Sequence, residues 1–425
     1  MTNRANHAFP GPDNVFRSQL SNGITLLVRE NHAAPVVVLD GYLAVGSIHE
    51  SAEKAGLASF TASLLTRGSS RYDFDTFNET VEAVGASISV GAGDHITSFS
   101  TESLAEDFPQ MVELLADVLR HPTFPAEQME RVRGQWLVRL QEREQNTRSV
   151  ASRRFHELLY GDHPYGRPGS GYPQTIQAIS REDVIAFHQN NYGPQGAIIV
   201  VSGDITTEAV VDLITVHLGD WRGTSPQQTL PPLSRQTEIR RESVVMPGKV
   251  QSDILIGSLA IARSDPDYFA VQVANSILGQ FGMMGRLGEV VREEQGLAYY
   301  SYSMLDADIG PGPWLAAAGV NPVNVELAVE SIRAEFARLG AQPVSDEELS
   351  DSKANMTGRL PLALETNDGV TSQLLNMEWY GLGLDYLYRY ADNINAVSTA
   401  DVQRVAAKYL TADAYTLVVA GPGLE

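Results

Sequence analysis

Cysteine is absent from this chain of 425 residues, which excludes disulfide scaffolds, thiolate zinc sites and cysteine nucleophiles together. Positive charge is scarce as well: 31 Lys and Arg stand against 52 Asp and Glu, so the formal net charge at pH 7 is −21. Such a charge disfavours non-specific binding to nucleic acid or to an anionic membrane surface. With 43% hydrophobic and 20% charged residues, the composition is that of a globular protein.

Long apolar runs are missing too. Runs such as Ala197–Val201 fall far short of the ~20 residues that a membrane helix needs, so no membrane span is expected. The first residues, Met1–His7, lack the apolar core of a secretory signal peptide. We therefore expect a cytoplasmic protein if Met1 is the native start, and a periplasmic or secreted one if a signal peptide has been removed.

Histidine is not placed as metal chemistry would need it. A zinc hydrolase sets two ligands on one helix face, yet none of the 9 histidines forms His-Glu-x-x-His or His-x-x-Glu-His, and none follows His217. The chain also lacks a Gly-x-Ser-x-Gly elbow and a Walker phosphate loop. A self-contained histidine zinc site is therefore not expected.

What the sequence does contain is an internal repeat. Ser180–Val184 leads into the strand-like run Ala197–Gly203, and Ser398–Val402 leads into Tyr415–Gly421 at the same offset. In both copies a serine N-cap precedes a short amphipathic helix, and a β-branched strand ends at glycine. The two copies predict two related domains.

A second pair of segments supports this repeat, because Phe124–Met129 and Val344–Leu349 each open a long helix at nearly the same offset. Two matches at one spacing predict a tandem duplication of α+β domains, with boundaries at 1–222 and 241–425. The polar, proline-bearing stretch 223–240 between them has the composition of a linker.

A helix expected within Gly56–Gly68 carries a family resemblance. It resembles the motif helix of the M16 (insulinase, pitrilysin, mitochondrial processing peptidase) metallopeptidases, which in active members reads Gly-Leu-Ala-His-Phe-Leu-Glu-His and supplies two histidine ligands and a glutamate general base. Here Ser59 and Ser63 stand at the ligand positions and Ala62 at that of the base. The third ligand, a glutamate on a later helix, would fall near 138–140, where no carboxylate stands. Close packing by small residues explains the two serines better than an active role, because hydroxyls are poor zinc ligands and no base stands beside them.

The segment Arg286–Tyr299 resembles one in the C-terminal halves of the same family. There an arginine and a tyrosine seven positions later point into the active cleft, and Arg292 and Tyr299 match that spacing. The resemblance implies that they bind substrate backbone and help to stabilise the tetrahedral intermediate. Gly296 can cap the helix between them, so that Tyr299 begins a strand. The structural alternative is an arginine that favours a helix dipole and a tyrosine that suits any strand.

Three glycines precede this segment, at Gly279, Gly282 and Gly285, in a loop that resembles the family's glycine-rich loop. They either permit close approach of a bound chain or mark a turn into the helix. His163 is expected to be a structural hydrogen-bonding residue rather than a metal ligand. The acidic run Asp346–Glu348 is expected to be a solvated helix start.

The resemblance implies tandem domains of the LuxS/MPP-like metallohydrolase type, each an antiparallel sheet with helices packed on one face. In the two-subunit bacterial branch, M16B, one subunit carries the zinc motif and the other carries the Arg/Tyr pair, and this sequence is similar to the second. The implied function is a non-catalytic, substrate-binding subunit of a zinc peptidase, with no cofactor of its own and zinc on an HxxEH-bearing partner. The alternative is a pseudoenzyme that acts as a homo-oligomeric scaffold or peptide-binding module, and an independent hydrolase with unrelated residues is a third reading.

Overall fold

The computed structural model of the chain describes residues 9–223, 226, 230–283 and 285–423. The start, Met1–His7, and residues 224, 225 and 227–229 of the predicted linker lie outside this part, so what the sequence indicates for them stays a prediction. No helix of the described ranges is both long and apolar enough to cross a membrane.

Two compact units divide the described chain, and neither is contiguous in sequence. Unit 1 contains the chain up to Leu140 together with Arg167–Gly223 and Pro361–Tyr388, and unit 2 contains Gln141–Gly166, the chain from Leu230 to Leu360 and that from Arg389 onwards. Each unit thus includes a segment from the other half of the sequence. The contiguous boundaries at 1–222, 223–240 and 241–425 stay a prediction.

A mixed β-sheet lies at the centre of unit 1. Its strands are β1 Phe16–Gln19, β2 Thr25–Glu30, β3 Val36–Leu43, β4 Ser87–Ala92, β5 Thr97–Leu104 and β6 Ile198–Gly203. Within the described residues their order is β1-β2-β6-β3-β5-β4. β6 pairs parallel with β2 and antiparallel with β3, and the remaining pairs are antiparallel.

Unit 2 repeats this arrangement. Its strands are β7 Arg240–Val245, β8 Ser252–Leu259, β9 Ala298–Leu305, β10 Pro313–Val320 and β11 Thr416–Gly421, in the order β7-β11-β8-β10-β9. β11 pairs parallel with β7 and antiparallel with β8, just as β6 lies between β2 and β3. The shared strand order confirms the predicted tandem duplication of α+β domains.

Helices fill the intervals between the strands. The two predicted serine caps are present, because Ser180 and Ser398 each accept a hydrogen bond from the third residue of the following helix. The helix α10 continues as a π-helical turn, Gly288–Glu294. The helices are α1 Leu57–Leu64, α2 Phe74–Ala83, α3 Phe108–Arg120, α4 Ala126–Glu144, α5 Thr147–Tyr160, α6 Pro173–Ala178, α7 Arg181–Asn191, α8 Thr207–Leu218, α9 Tyr268–Gly279, α10 Gly285–Leu287, α11 Val325–Ala341, α12 Asp346–Ala363, α13 Asn367–Trp379, α14 Tyr386–Ala396 and α15 Thr399–Tyr409.

Both faces of each sheet carry helices. In unit 2, Ile254 and Ile256 of β8 pack with α9, α11 and α15, while Leu255 between them packs with α5 on the opposite face. In unit 1, the larger core lies against α1, α3, α7 and α8, and α13 packs on β3 and β6. The predicted helix layer on one face is therefore present, and a single helix from the other half of the sequence covers the second face.

Candidate functional site

Helix α1 carries the degenerate motif positions in unit 1. Ala62 is buried, whereas Ser59 and Ser63 are half-buried. The Ser63 hydroxyl donates to the Phe60 carbonyl at 2.7 Å, and the Ser59 hydroxyl donates to the Ala92 carbonyl at 3.4 Å. Both hydroxyls thus donate to backbone carbonyls, Ser63 within α1 and Ser59 to the end of β4, which agrees with a packing role.

The remaining ligand position falls on helix α4. Val138 and Arg139 are exposed there, and the guanidinium carbon of Arg139 lies 4.8 Å from a ring centre of Trp136. Across the residues that the structure describes, no group of three or more His, Asp or Glu side chains is arranged to hold a metal ion.

A buried carboxylate that the sequence analysis did not single out holds the start of α1. Glu50 is 6% exposed, and its two carboxylate oxygens accept hydrogen bonds from the Gly56 and Ala58 amides, each at 2.7 Å. Burial raises the pKa of Glu50 to about 7, although these two N–H donors and nearby Arg167 favour its charged form. No capping signature announces the residue, because it stands six and eight positions before the amides it satisfies, whereas an N-cap is two or three positions away.

Glu50 should make the protein less stable as the pH rises from about 4.5 to about 7. The pKa is 4.5 for an exposed glutamate and about 7 in the folded protein, so the folded state binds this proton more tightly. The resulting stabilisation of about 3 kcal/mol is present below pH 4.5 and is lost as the pH rises through 7. Urea unfolding across this range, with Glu50→Gln as the non-titrating comparison, should show the stability difference between the two proteins falling by that amount. A difference that does not vary with pH would contradict the assignment.

In unit 2, Arg292 lies in the π-helical turn Gly288–Glu294. Its side chain is partly exposed, and its Nε lies 3.5 Å from the Glu293 carboxylate. The turn ends at Gly296, which adopts φ +61°, as predicted from the sequence. A π-helical turn leaves its last residues at a different rotation from an α-helix, and such turns are frequent at functional sites.

Tyr299 is the extra residue of a β-bulge. Strand β10 pairs Val320 with Ala298 and Gly319 with Tyr300, so that Tyr299 has no partner in the ladder. The Tyr299 side chain is 67% exposed. Since a bulge redirects a side chain, the phenol is offered to solvent instead of packing in either core. The roles of Arg292 and Tyr299 in substrate binding stay predictions.

The following tyrosine is anchored beneath the bulge. The Tyr300 hydroxyl donates to the carboxylate of Asp253, which is 1% exposed and also accepts from the Thr147 hydroxyl at 2.5 Å. Burial raises the pKa of Tyr300, and the hydrogen bond to Asp253 raises it further. The start of α5, the strand β8 and the strand β9 are thereby joined at one buried carboxylate. Asp253 could have been found from the sequence, because it is an acid directly before the apolar run Ile254–Ile256 of β8.

Arg148 completes this anchor. Its guanidinium carbon lies 4.9 Å from the ring centre of Tyr300 and 5.3 Å from that of Tyr302, and it donates to the Tyr302 hydroxyl at 2.5 Å. Tyr300 and Tyr302 therefore both face α5, whereas Tyr299 is exposed to solvent.

Two of the three glycines, Gly282 and Gly285, line a cleft of about 550 Å³ in unit 2. A Cβ atom at Gly279 would lie 2.2 Å from the Ser303 amide, and one at Gly285 would lie 2.4 Å from the Ile277 carbonyl. Packing of the loop on its own neighbours therefore requires these two glycines, which favours the structural reading. Gly282 adopts φ +59° beside open space and lines the cleft.

The acidic helix start also faces this cleft. Glu348 accepts two hydrogen bonds from the buried Arg286, at 2.6 and 2.9 Å, and these bonds lower the pKa of Glu348 to about 2. The expectation of a merely solvated helix start is therefore wrong for Glu348. His163 is structural, as predicted: its Nδ1 accepts from the Tyr165 amide at 3.2 Å and its Nε2 lies 3.1 Å from the Pro231 carbonyl.

Two family models match the chain. The model described as "Insulinase (Peptidase family M16)" matches residues 25–171, and the one described as "Peptidase M16 inactive domain" matches residues 178–356. The chain belongs to the M16 peptidase family. The resemblance inferred from Gly56–Gly68 and Arg286–Tyr299 is thereby confirmed.

Several M16 proteins are similar over nearly their whole length. An uncharacterized zinc protease of Mycobacterium leprae is 26% identical over 414 residues, covering 96% of this chain and 92% of the relative. The mitochondrial-processing peptidase subunit beta of Lentinula edodes is 24% identical over 421 residues, covering 95% and 89%. The solved structure of a peptidase M16 inactive domain from Pseudomonas fluorescens matches with a TM-score of 0.90 and 26% identity, covering 97% and 98%.

Proposed function

We propose that this M16 protein is a non-catalytic, peptide-binding subunit of a two-subunit zinc peptidase. One observation carries the proposal: the same chain combines a motif helix that has no metal ligands with an exposed tyrosine, Tyr299, at the position where the family resemblance places a substrate-binding tyrosine. Ser59, Ala62 and Ser63 offer neither zinc ligands nor a general base. Tyr299, by contrast, is presented to solvent by a bulge. The name of one relative, a beta subunit, supports an assembly of more than one chain.

Arg292 and Tyr299 would act electrostatically in this proposal. A guanidinium and a phenol can both donate hydrogen bonds to a peptide carbonyl oxygen, whose negative charge grows as the tetrahedral intermediate forms. Zinc on the partner would supply a polarised carbonyl and an activated water. The contribution of this chain would be to bind the peptide backbone and to stabilise that oxyanion.

Reconstitution tests the proposal directly. The purified chain by itself should hold substoichiometric zinc and leave a quenched fluorescent peptide library intact. Pull-down of the tagged chain from its native organism should recover a chain of comparable size with a His-x-x-Glu-His motif, and mixing the two should produce peptide cleavage. Recovery of the tagged chain only with itself would instead support the homo-oligomeric scaffold. Zinc-dependent cleavage by the isolated chain would contradict both functions.

A further inference from the structure

Three arginines without acidic partners lie beside the degenerate motif helix in unit 1. Arg67 ends a 3₁₀ turn, Leu65–Arg67, directly after α1, and Arg131 and Arg139 lie on the exposed side of α4. Within the ranges that the structure describes, none of the three forms an ion pair, although acidic residues outnumber basic ones 52 to 31 in the whole chain. The three arginines therefore carry positive charge that no acidic side chain of the described residues neutralises.

Aromatic rings hold these guanidinium groups in place. The guanidinium carbons of Arg67 and Arg131 lie 4.9 and 5.6 Å from the centre of the same ring, that of Phe74. Arg139 lies over Trp136, whose indole packs edge-on against Phe60 of α1. Burial lowers the pKa of Arg67, and the charges of Arg131 and Arg139 lower it further, so Arg67 lies near each of the other two. Ring faces position such cations without neutralising them.

The neighbouring Arg133 shows what a structural arginine looks like on the same helix. It donates to the Ile176 and Ile179 carbonyls and pairs with Glu130. By contrast, Arg67, Arg131 and Arg139 form neither an ion pair nor a hydrogen bond to a backbone carbonyl within the described residues. The guanidinium groups of Arg131 and Arg139 are exposed, so their donors are open to an acceptor from outside the chain, and Arg67 adds its positive charge beside them.

We propose that Arg67, Arg131 and Arg139 form a binding site for a peptide carboxylate. Guanidinium groups present paired N–H donors that match the geometry of a carboxylate, and several of them together give a preference for an anion over a neutral group. Arg139 stands near the place where the family resemblance puts a zinc-binding glutamate, so the charge at this position is reversed. That the carboxylate belongs to a peptide rests on the proposed function, and the anion site itself does not.

The chain by itself serves for the test, with three fluorescein-labelled peptides and fluorescence anisotropy at low salt. One peptide has acidic side chains and an amidated C-terminus, the second has neutral side chains and a free C-terminal carboxylate, and the third is neutral and amidated. At least one carboxylate peptide should bind more tightly than the neutral one. Its Kd should rise about 3- to 10-fold in each of Arg131→Gln and Arg139→Gln, and the peptide that responds identifies the source of the carboxylate.

Arg222→Gln is the matched control, because it removes one exposed positive charge from the same unit outside the cluster. This variant should leave the Kd within about twofold of wild type. Equal binding of all three peptides, or wild-type affinity in both cluster variants, would overturn the proposal. Since no partner is present, this binding can be found even if the reconstituted pair cleaves nothing, so a failure here and a failure of the proposed function are distinguishable.

Discussion

In the assembled pair, Arg292→Ala and Tyr299→Phe should each lower kcat/KM for peptide cleavage by about 10²-fold. If the two residues act as proposed, each change removes one donor to the developing oxyanion, and the loss of a single such donor has a large effect on the rate. The side chains are at least partly exposed, so neither change disturbs a core. Steady-state kinetics of the reconstituted pair, with size-exclusion chromatography to verify assembly, checks the prediction.

Two variants from the same unit control for this experiment. Arg241→Ala removes an arginine whose surface ion pair is with Glu326, and Tyr302→Phe removes a phenol from β9 that faces α5. Both should retain kcat/KM within about threefold of wild type. If Arg292→Ala and Tyr299→Phe behave like these controls, the pair has no role in the reaction.

The replacement of Asp253 by alanine should destabilise the protein by about 2–4 kcal/mol. The change leaves the partly buried hydroxyls of Tyr300 and Thr147 without their acceptor, at about 1–3 kcal/mol for each unsatisfied group. Urea unfolding followed by circular dichroism measures the loss.

Tyr300→Phe is the control for Asp253→Ala. It removes one hydrogen bond to the buried carboxylate but keeps both the carboxylate and the ring that Arg148 covers. We expect a loss of about 1 kcal/mol from this variant. Because the same strand carries Tyr299, Asp253→Ala should also lower the activity of the reconstituted pair at temperatures where the variant is folded. Unchanged stability in Asp253→Ala would show that the network does not hold β9.

Patterns local in sequence predicted much of this fold. Ser180 and Ser398 both cap helices, and β6 and β11 both end at glycine, so the duplication was visible from short segments. The helix end at Gly296 was predicted for the same reason, because a left-handed residue after a helix is a local feature. In each case the determinant lies within a few residues of the structure that it specifies.

Features that depend on distant contacts were not predictable in this way. The bulge at Tyr299 depends on how β9 pairs with β10. The burial of Glu50 depends on the chain turning back so that its carboxylate reaches the amides at the start of α1. Glu348 was expected to be solvated because Arg286, its partner, lies about sixty positions away. The arginine cluster was missed because Arg67 and Arg131 meet only at the ring of Phe74.

Helix α5 lies in the first half of the sequence but packs in unit 2, and α13 lies in the second half but packs in unit 1. This exchange determines the order in which the two units can be completed during translation. The last strand of the first sheet is finished at Gly203, but the helix that covers its second face begins only at Asn367, about 160 residues later. At roughly 5–20 residues per second, that interval is about 8–30 s. During this time the nascent sheet exposes a face that the mature protein buries, while α5 waits for strands not yet translated. We therefore expect this chain to be most prone to non-native contacts in the middle of its synthesis, well before its release.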